Sequence, residues 1–91
     1  MNTLVLGERR NVFTLVDAAL GEDPTISCAV YEVFDTSDES IVNSGDATVS
    51  ELIVYFLWEP SVVGTYVARI NYTIGSELYT SNQVIEVKET M

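Results

Sequence analysis

An all-β fold, an antiparallel β-sandwich of about seven short strands, is what this sequence predicts. Three observations predict it. Apolar and polar residues alternate with a period of two over most of the chain, the mark of strands that bury one face. Clusters of Gly, Pro, Asn, Asp and Ser interrupt that pattern at intervals of roughly ten residues. No period of 3.6 residues is sustained for more than about two turns of helix. A small open β-barrel is the nearest alternative arrangement of the same strands. The 91 residues leave room for a single domain over 1–91, and 47% of them are apolar, enough for one core.

The elements follow in order. Residues 3–6 supply an edge strand, and 12–16 form the next, bounded by Arg10 and Asp17. Any helix begun at Ala18, Ala19 and Leu20 stops at Gly21-Glu22-Asp23-Pro24. In residues 26–34, Ile26, Cys28 and Val30 share a face. The phase then breaks at Glu32, where Tyr31 and Val33 compete for the interior, and a β-bulge there resolves the conflict.

The polar run 35–40 is a connection, and Ile41 and Val42 make a brief strand. Asn43-Ser44-Gly45-Asp46 reads as a turn, because these residues tolerate the backbone angles turns demand. Residues 47–49 lead into the run Leu52-Ile53-Val54-Tyr55-Phe56-Leu57-Trp58, closed by Glu59 and Pro60, since proline cannot donate to a ladder. Residues 64–74 form the clearest strand, with Tyr66, Ala68, Ile70, Tyr72 and Ile74 on one face and Val67, Arg69, Asn71 and Thr73 on the other. Gly75-Ser76-Glu77 turns the chain into a hairpin with 78–80. Ser81-Asn82-Gln83 interrupts the pattern, and 84–88 complete it. Strands of this number and spacing suit an immunoglobulin-like sandwich.

Charge narrows the function. Four Lys and Arg stand against 14 Asp and Glu, a net charge of -10, which argues against nucleic acid and against anionic membrane surfaces as partners. The longest apolar run falls far below the ~20 residues a membrane-spanning helix needs. With no histidine, the commonest general base and the commonest metal ligand are missing. Cys28 is the single cysteine, so it forms no disulfide within the chain, and residues 1–10 place no basic leader before an apolar run. The expected compartment is the cytoplasm during synthesis, with later incorporation into a virion compatible and no secretion by a signal peptide.

Several units together resemble a known group. They are Leu6-Gly7-Glu8 running into Val12-Phe13-Thr14, the Pro24-Thr25-Ile26 entry to Ala29-Val30-Tyr31, and Glu59-Pro60 before Gly64-Thr65-Tyr66. Tyr72-Thr73-Ile74-Gly75 and Ile85-Glu86-Val87 complete the set. Over about residues 6 to 88 the chain resembles small single-domain immunoglobulin-like proteins encoded among tailed-phage and prophage structural genes. What that resemblance implies is a role in the virion or its assembly without enzymatic activity. It carries over no functional residues.

Each candidate site has a bland counterpart. Tyr66, two residues after Gly64, suits the tyrosine whose hydroxyl turns back onto the preceding loop, a structural role. Asp35, Asp38 and Glu39, with Asp46 near by, could offer oxygens to calcium, but the spacing is not that of a calcium loop and a solvated acidic loop is the ordinary outcome. Cys28 has no histidine to activate it and reads as a small buried hydrophobe. Asn71-Tyr72-Thr73 would be a glycosylation acceptor only in a eukaryotic secretory pathway and otherwise places a polar residue on a strand. No nucleophile motif, phosphate loop or evident carboxylate pair in a cleft is present, so neither enzymatic activity nor a cofactor is expected.

The run 52–58 is the most informative feature, because both of its faces are apolar where a half-buried strand has one polar face. It reads either as a central strand covered on both sides or as an interface, with Tyr55, Leu57 and Trp58 as the contact residues. The expected function is therefore a non-enzymatic structural or assembly component acting through a protein partner or self-association, with a homo-oligomer among the outcomes. The alternative is a small ligand-binding or adhesion module, recognising for example carbohydrate at its loop ends. That alternative wants aromatic residues in exposed loops.

Overall fold

The computed structural model describes residues 2–16, 26–50 and 52–89, and within them the chain forms eight strands. They are β1 (Asn2–Val5), β2 (Arg10–Leu15), β3 (Ile26–Asp35), β4 (Ile41–Asp46), β5 (Thr48–Ser50), β6 (Ile53–Trp58), β7 (Gly64–Ile74) and β8 (Glu77–Lys88). A five-stranded sheet has the order β1-β8-β7-β3-β4, and a three-stranded sheet has the order β2-β6-β5. No ladder joins the two sheets among the described residues, so the strands form two open, sandwich-like layers and not a closed barrel. The helix-stopping segment around Ala18 to Pro24 lies outside the described residues.

The long hairpin β7–β8 is the spine, and it follows the alternation closely. Tyr66, Ala68, Ile70 and Tyr72 are buried, as are Ile85 and Val87 opposite them. Val33 on β3 and Leu4 on β1 extend that layer, and Val12, Val54, Phe56 and Trp58 cover it from the small sheet. Tyr31 stacks on Phe56 across the gap, ring centroids 3.9 Å apart. At the hairpin end Gly75 has φ +62° and Ile74 pairs with Glu77, the left-handed first position of a type II′ turn that glycine fills without strain.

Four local expectations need correction. The sandwich is not wholly antiparallel, because β1 runs parallel to β8. The short 6–9 connection fixes this: Leu6 N–H bonds to the Lys88 carbonyl and Gly7 N–H to that of Pro60, turning the chain from one sheet into the other beside the end of β8. Next, the phase of β3 breaks earlier than Glu32. Its register against β7 shifts between Ser27 and Val30, and Cys28 takes φ +53°, so Ile26, Ala29, Tyr31 and Val33 face inward. Cys28 is therefore exposed on a bulge, not buried in a face with Ile26 and Val30.

Asn43-Ser44-Gly45-Asp46 is not a turn. It makes up the last four residues of β4, paired residue for residue with Val30 to Val33. Composition suggested a turn, but a sheet partner supplies the hydrogen bonds a turn would make, and Gly45 leaves room for the Tyr31 ring. The change of direction falls instead at Ala47, whose N–H bonds to the Ala29 carbonyl as the chain crosses to β5 in the other sheet. Likewise Ser81, Asn82 and Gln83 continue β8, opposite Ile70, Arg69 and Ala68.

Candidate functional site

Burial of Val12 on β2 and of Val54, Phe56 and Trp58 on β6 forces the alternate residues of those strands outward. The pairing then sets Asn11 beside Leu57, Phe13 beside Tyr55 and Leu15 beside Ile53, with Thr48 and Ser50 of β5 completing the outer face. None of these outward residues is charged, in a chain with a net charge of -10. Phe13 is 52% exposed, Leu15 68% and Leu57 52%, while Tyr55 is half-buried. A shallow hollow of about 310 Å³ opens there between Asn11, Phe13, Ser50, Ile53 and Tyr55. Such a face, roughly 15 by 20 Å from strand spacing and rise, is an apolar patch without cover among the described residues.

The three expected contact residues therefore separate. Tyr55 and Leu57 stand on the outer face, whereas Trp58 is 4% exposed and packs edge-on to Tyr66 at 5.1 Å between the sheets. Trp58 is core and cannot be a contact residue of that face; the alternation of β6 puts it in register with Val54 and Phe56. Phe13 and Leu15 were missed. Their segment, Val12-Phe13-Thr14-Leu15-Val16, carries the same sign as β6, apolar residues in both phases, and would have yielded them.

Asp35 Oδ1 accepts from Ser37 N–H and Oγ at 2.9 and 2.8 Å, and Asp38 Oδ1 from Ser40 N–H and Oγ at 3.0 and 2.7 Å. These bonds build two consecutive side-chain turns and hold the Asp38 carboxyl below its usual value, the Ser40 hydroxyl contributing most. Glu39 takes φ +59° as its N–H bonds back to the Asp35 carbonyl. Asp46 sits at the other end of β4, roughly 16 Å along the strand from Ile41. No group of three or more metal-ligating side chains occurs among the described residues.

Tyr66 behaves as a corner residue: its hydroxyl donates to the Val62 carbonyl at 2.7 Å and ties the 59–63 loop to the start of β7. Burial, with a smaller contribution from the Asp35 charge, raises its pKa above 10.0. Compared with protein families, curated proteins and solved structures, the chain matches none.

Proposed function

We propose that this protein is a non-enzymatic structural or assembly component, immunoglobulin-like in fold, that works by protein–protein contact through the outer face of β2, β6 and β5. The particle it serves on this proposal is that of a tailed phage or prophage, as the sequence resemblance implies. One observation carries the proposal: the outer face is apolar and free of charge on a strongly acidic molecule. Leaving Phe13, Leu15 and Leu57 in water costs the free energy their burial would return, at about 25 cal/mol per Å² of apolar surface. Patches of this kind on small domains serve contact. The loop-end carbohydrate alternative loses support, because among the described residues every aromatic side chain belongs to a strand.

A photo-crosslinking amino acid placed at Leu57, with a control at Asn82 on the large sheet, tests this in the native setting. The expected result is one defined adduct at 57 that sediments with assembled particles and is absent at 82. Equal labelling from both positions, or none from 57, would refute the contact face.

A further inference from the structure

Among the described residues the small sheet also ends in an open edge. β2 pairs with β6 on one side only. The Gln83 side chain donates to the Phe13 carbonyl from the other side, so that carbonyl points away from β6. Backbone groups alternate along an antiparallel strand, so the N–H and C=O of Asn11 and Leu15 point the same way, as does the N–H of Phe13. A groove of about 490 Å³ runs beside them, between β2 and the Thr3–Leu4 stretch of β1. The Phe13 carbonyl keeps a second lone pair for another donor.

Open edges are normally kept short or blocked by charge, glycine or proline. In this molecule β1 has 4 residues and β5 has 3, and β4 ends in Gly45 and Asp46. β2 has 6 residues with no glycine, proline or carboxylate, and its one charge, Arg10, is paired with Glu8 at 2.7 Å. Of the sheet edges it is the least defended.

We infer that β2 pairs antiparallel with β2 of a second copy about a twofold axis at Phe13, joining two small sheets into one six-stranded sheet. This rests on the outer face being the contact surface, and it names what lies beside it. In this register Asn11 of each copy faces Leu15 of the other and the two Phe13 side chains lie side by side on the outer face. No carboxylate of β2 enters the seam. Two copies each bearing -10 approach at least cost where neither presents a carboxylate, as along β2 and the outer face beside it; a foreign partner selected by charge would be basic and would seek the carboxylates. Size points the same way. One face of roughly 15 by 20 Å is well short of the ~800 Å² per partner of a stable interface, and edge pairing brings the joined face to roughly 600 Å², nearer that size, while adding main-chain hydrogen bonds.

The test combines solution mass by light scattering with amide hydrogen exchange read by NMR, from dilute to concentrated protein at low and moderate salt. The expected result is a dimer favoured by concentration and by salt, in which the Asn11, Phe13 and Leu15 amides become protected in step with its population. Asn11→Pro removes an outward N–H and leaves the β6 ladder whole, so it should fold and stay monomeric, while Leu57→Glu should still dimerise. A monomer under all conditions, with those amides exchanging at a constant rate, would overturn the inference. So would a dimer that survives Asn11→Pro and is lost in Leu57→Glu, which would leave the outer face standing as the contact surface. Conversely, loss of the particle adduct at 57 in a chain that still dimerises through Asn11 would remove the face and keep the edge.

Discussion

Tyr66 joins the 59–63 loop to the core through one hydroxyl, and the consequences can be measured. Tyr66→Phe keeps the ring against Trp58 but deletes the bond to the Val62 carbonyl, which water can reach. The expected loss is about 1 kcal/mol in denaturant melts at neutral pH. The sign of its titration follows from burial. The native state favours the neutral phenol, so the unfolded tyrosine ionises first; stability is intact below pH 10.0 and falls as pH rises through the raised native value. The Phe variant should therefore lose less stability on alkaline titration than the parent. Trp58 and Leu57 are neighbours with opposite fates. Trp58→Ala should cost about 3–5 kcal/mol as a core cavity, and Leu57→Ala should stay within about 0.5 kcal/mol. Equal losses at both would mean that both faces of β6 are covered, and a larger loss at Leu57 that the faces are assigned the wrong way round. Alternation made this pair separable from sequence, yet both were placed in one contact set, because an apolar residue in either phase gives the same local sign. Cys28 shows the opposite difficulty: its neighbours Ile26 and Val30 suggest a buried phase that a bulge at Cys28 itself then breaks.

At the scale of elements, β6 and β7 were legible because an uninterrupted period of two leaves a single assignment of faces. β4 and the middle of β8 were not, because Asn43-Ser44-Gly45-Asp46 and Ser81-Asn82-Gln83 have the composition of turns and become strands only through their partners β3 and β7. A distant sheet partner leaves no local trace. Gly45 shows what that pairing requires. A Cβ built there would lie 3.3 Å from the Tyr31 ring, which is itself held flat on Phe56. Gly45→Val should thus force the ring off its stack and cost about 1–3 kcal/mol by overpacking. In a Tyr31→Leu background the same change should cost measurably less, since the two sites are in contact. If the two costs simply add, the glycine is there for some reason other than the ring. The contact face was half legible for a related cause: Tyr55 and Leu57 stand in a run of seven apolar residues that draws the eye, whereas Phe13 and Leu15 stand in a shorter stretch broken by Thr14, where the same two-phase sign is easily passed over.

At the scale of the whole molecule, net charge competes with a few local bonds, and the two respond differently to acid. A charge of -10 confined to a body 43 Å long opposes the compact state, because the unfolded chain lets the carboxylates move apart. Screening over about 10 Å at 0.1 M salt should relieve this, so the melting temperature at neutral pH should rise with salt. Acidification removes charge only once the carboxylates themselves take up protons, since the chain has no histidine. Further acidification meets Glu8 and Asp38, whose native carboxyls lie below their ordinary 4.5 and 3.8. Glu8 is lowered first by the Val5 N–H and then by Arg10, and Asp38 first by the Ser40 hydroxyl and then by the Ser40 N–H. Groups lowered in this way contribute stability above their unfolded values and lose it as pH falls through their native ones. With no histidine, little charge is lost between neutrality and the carboxylate range, so the melting temperature at low salt should stay nearly level over that span and then fall as pH drops through the native values of Glu8 and Asp38. High salt should raise the neutral plateau and leave the acid fall in place, because hydrogen bonds of the Asp38 kind are screened less than distant repulsion. Glu8→Gln with Asp38→Asn should soften the acid fall and, because removing two carboxylates takes the net charge from -10 to -8, weaken the salt dependence at neutral pH. A melting temperature at neutral pH that does not rise with salt would mean that self-repulsion is too weak to shape the stability of this fold, and would take the electrostatic part of the case for β2 pairing with it.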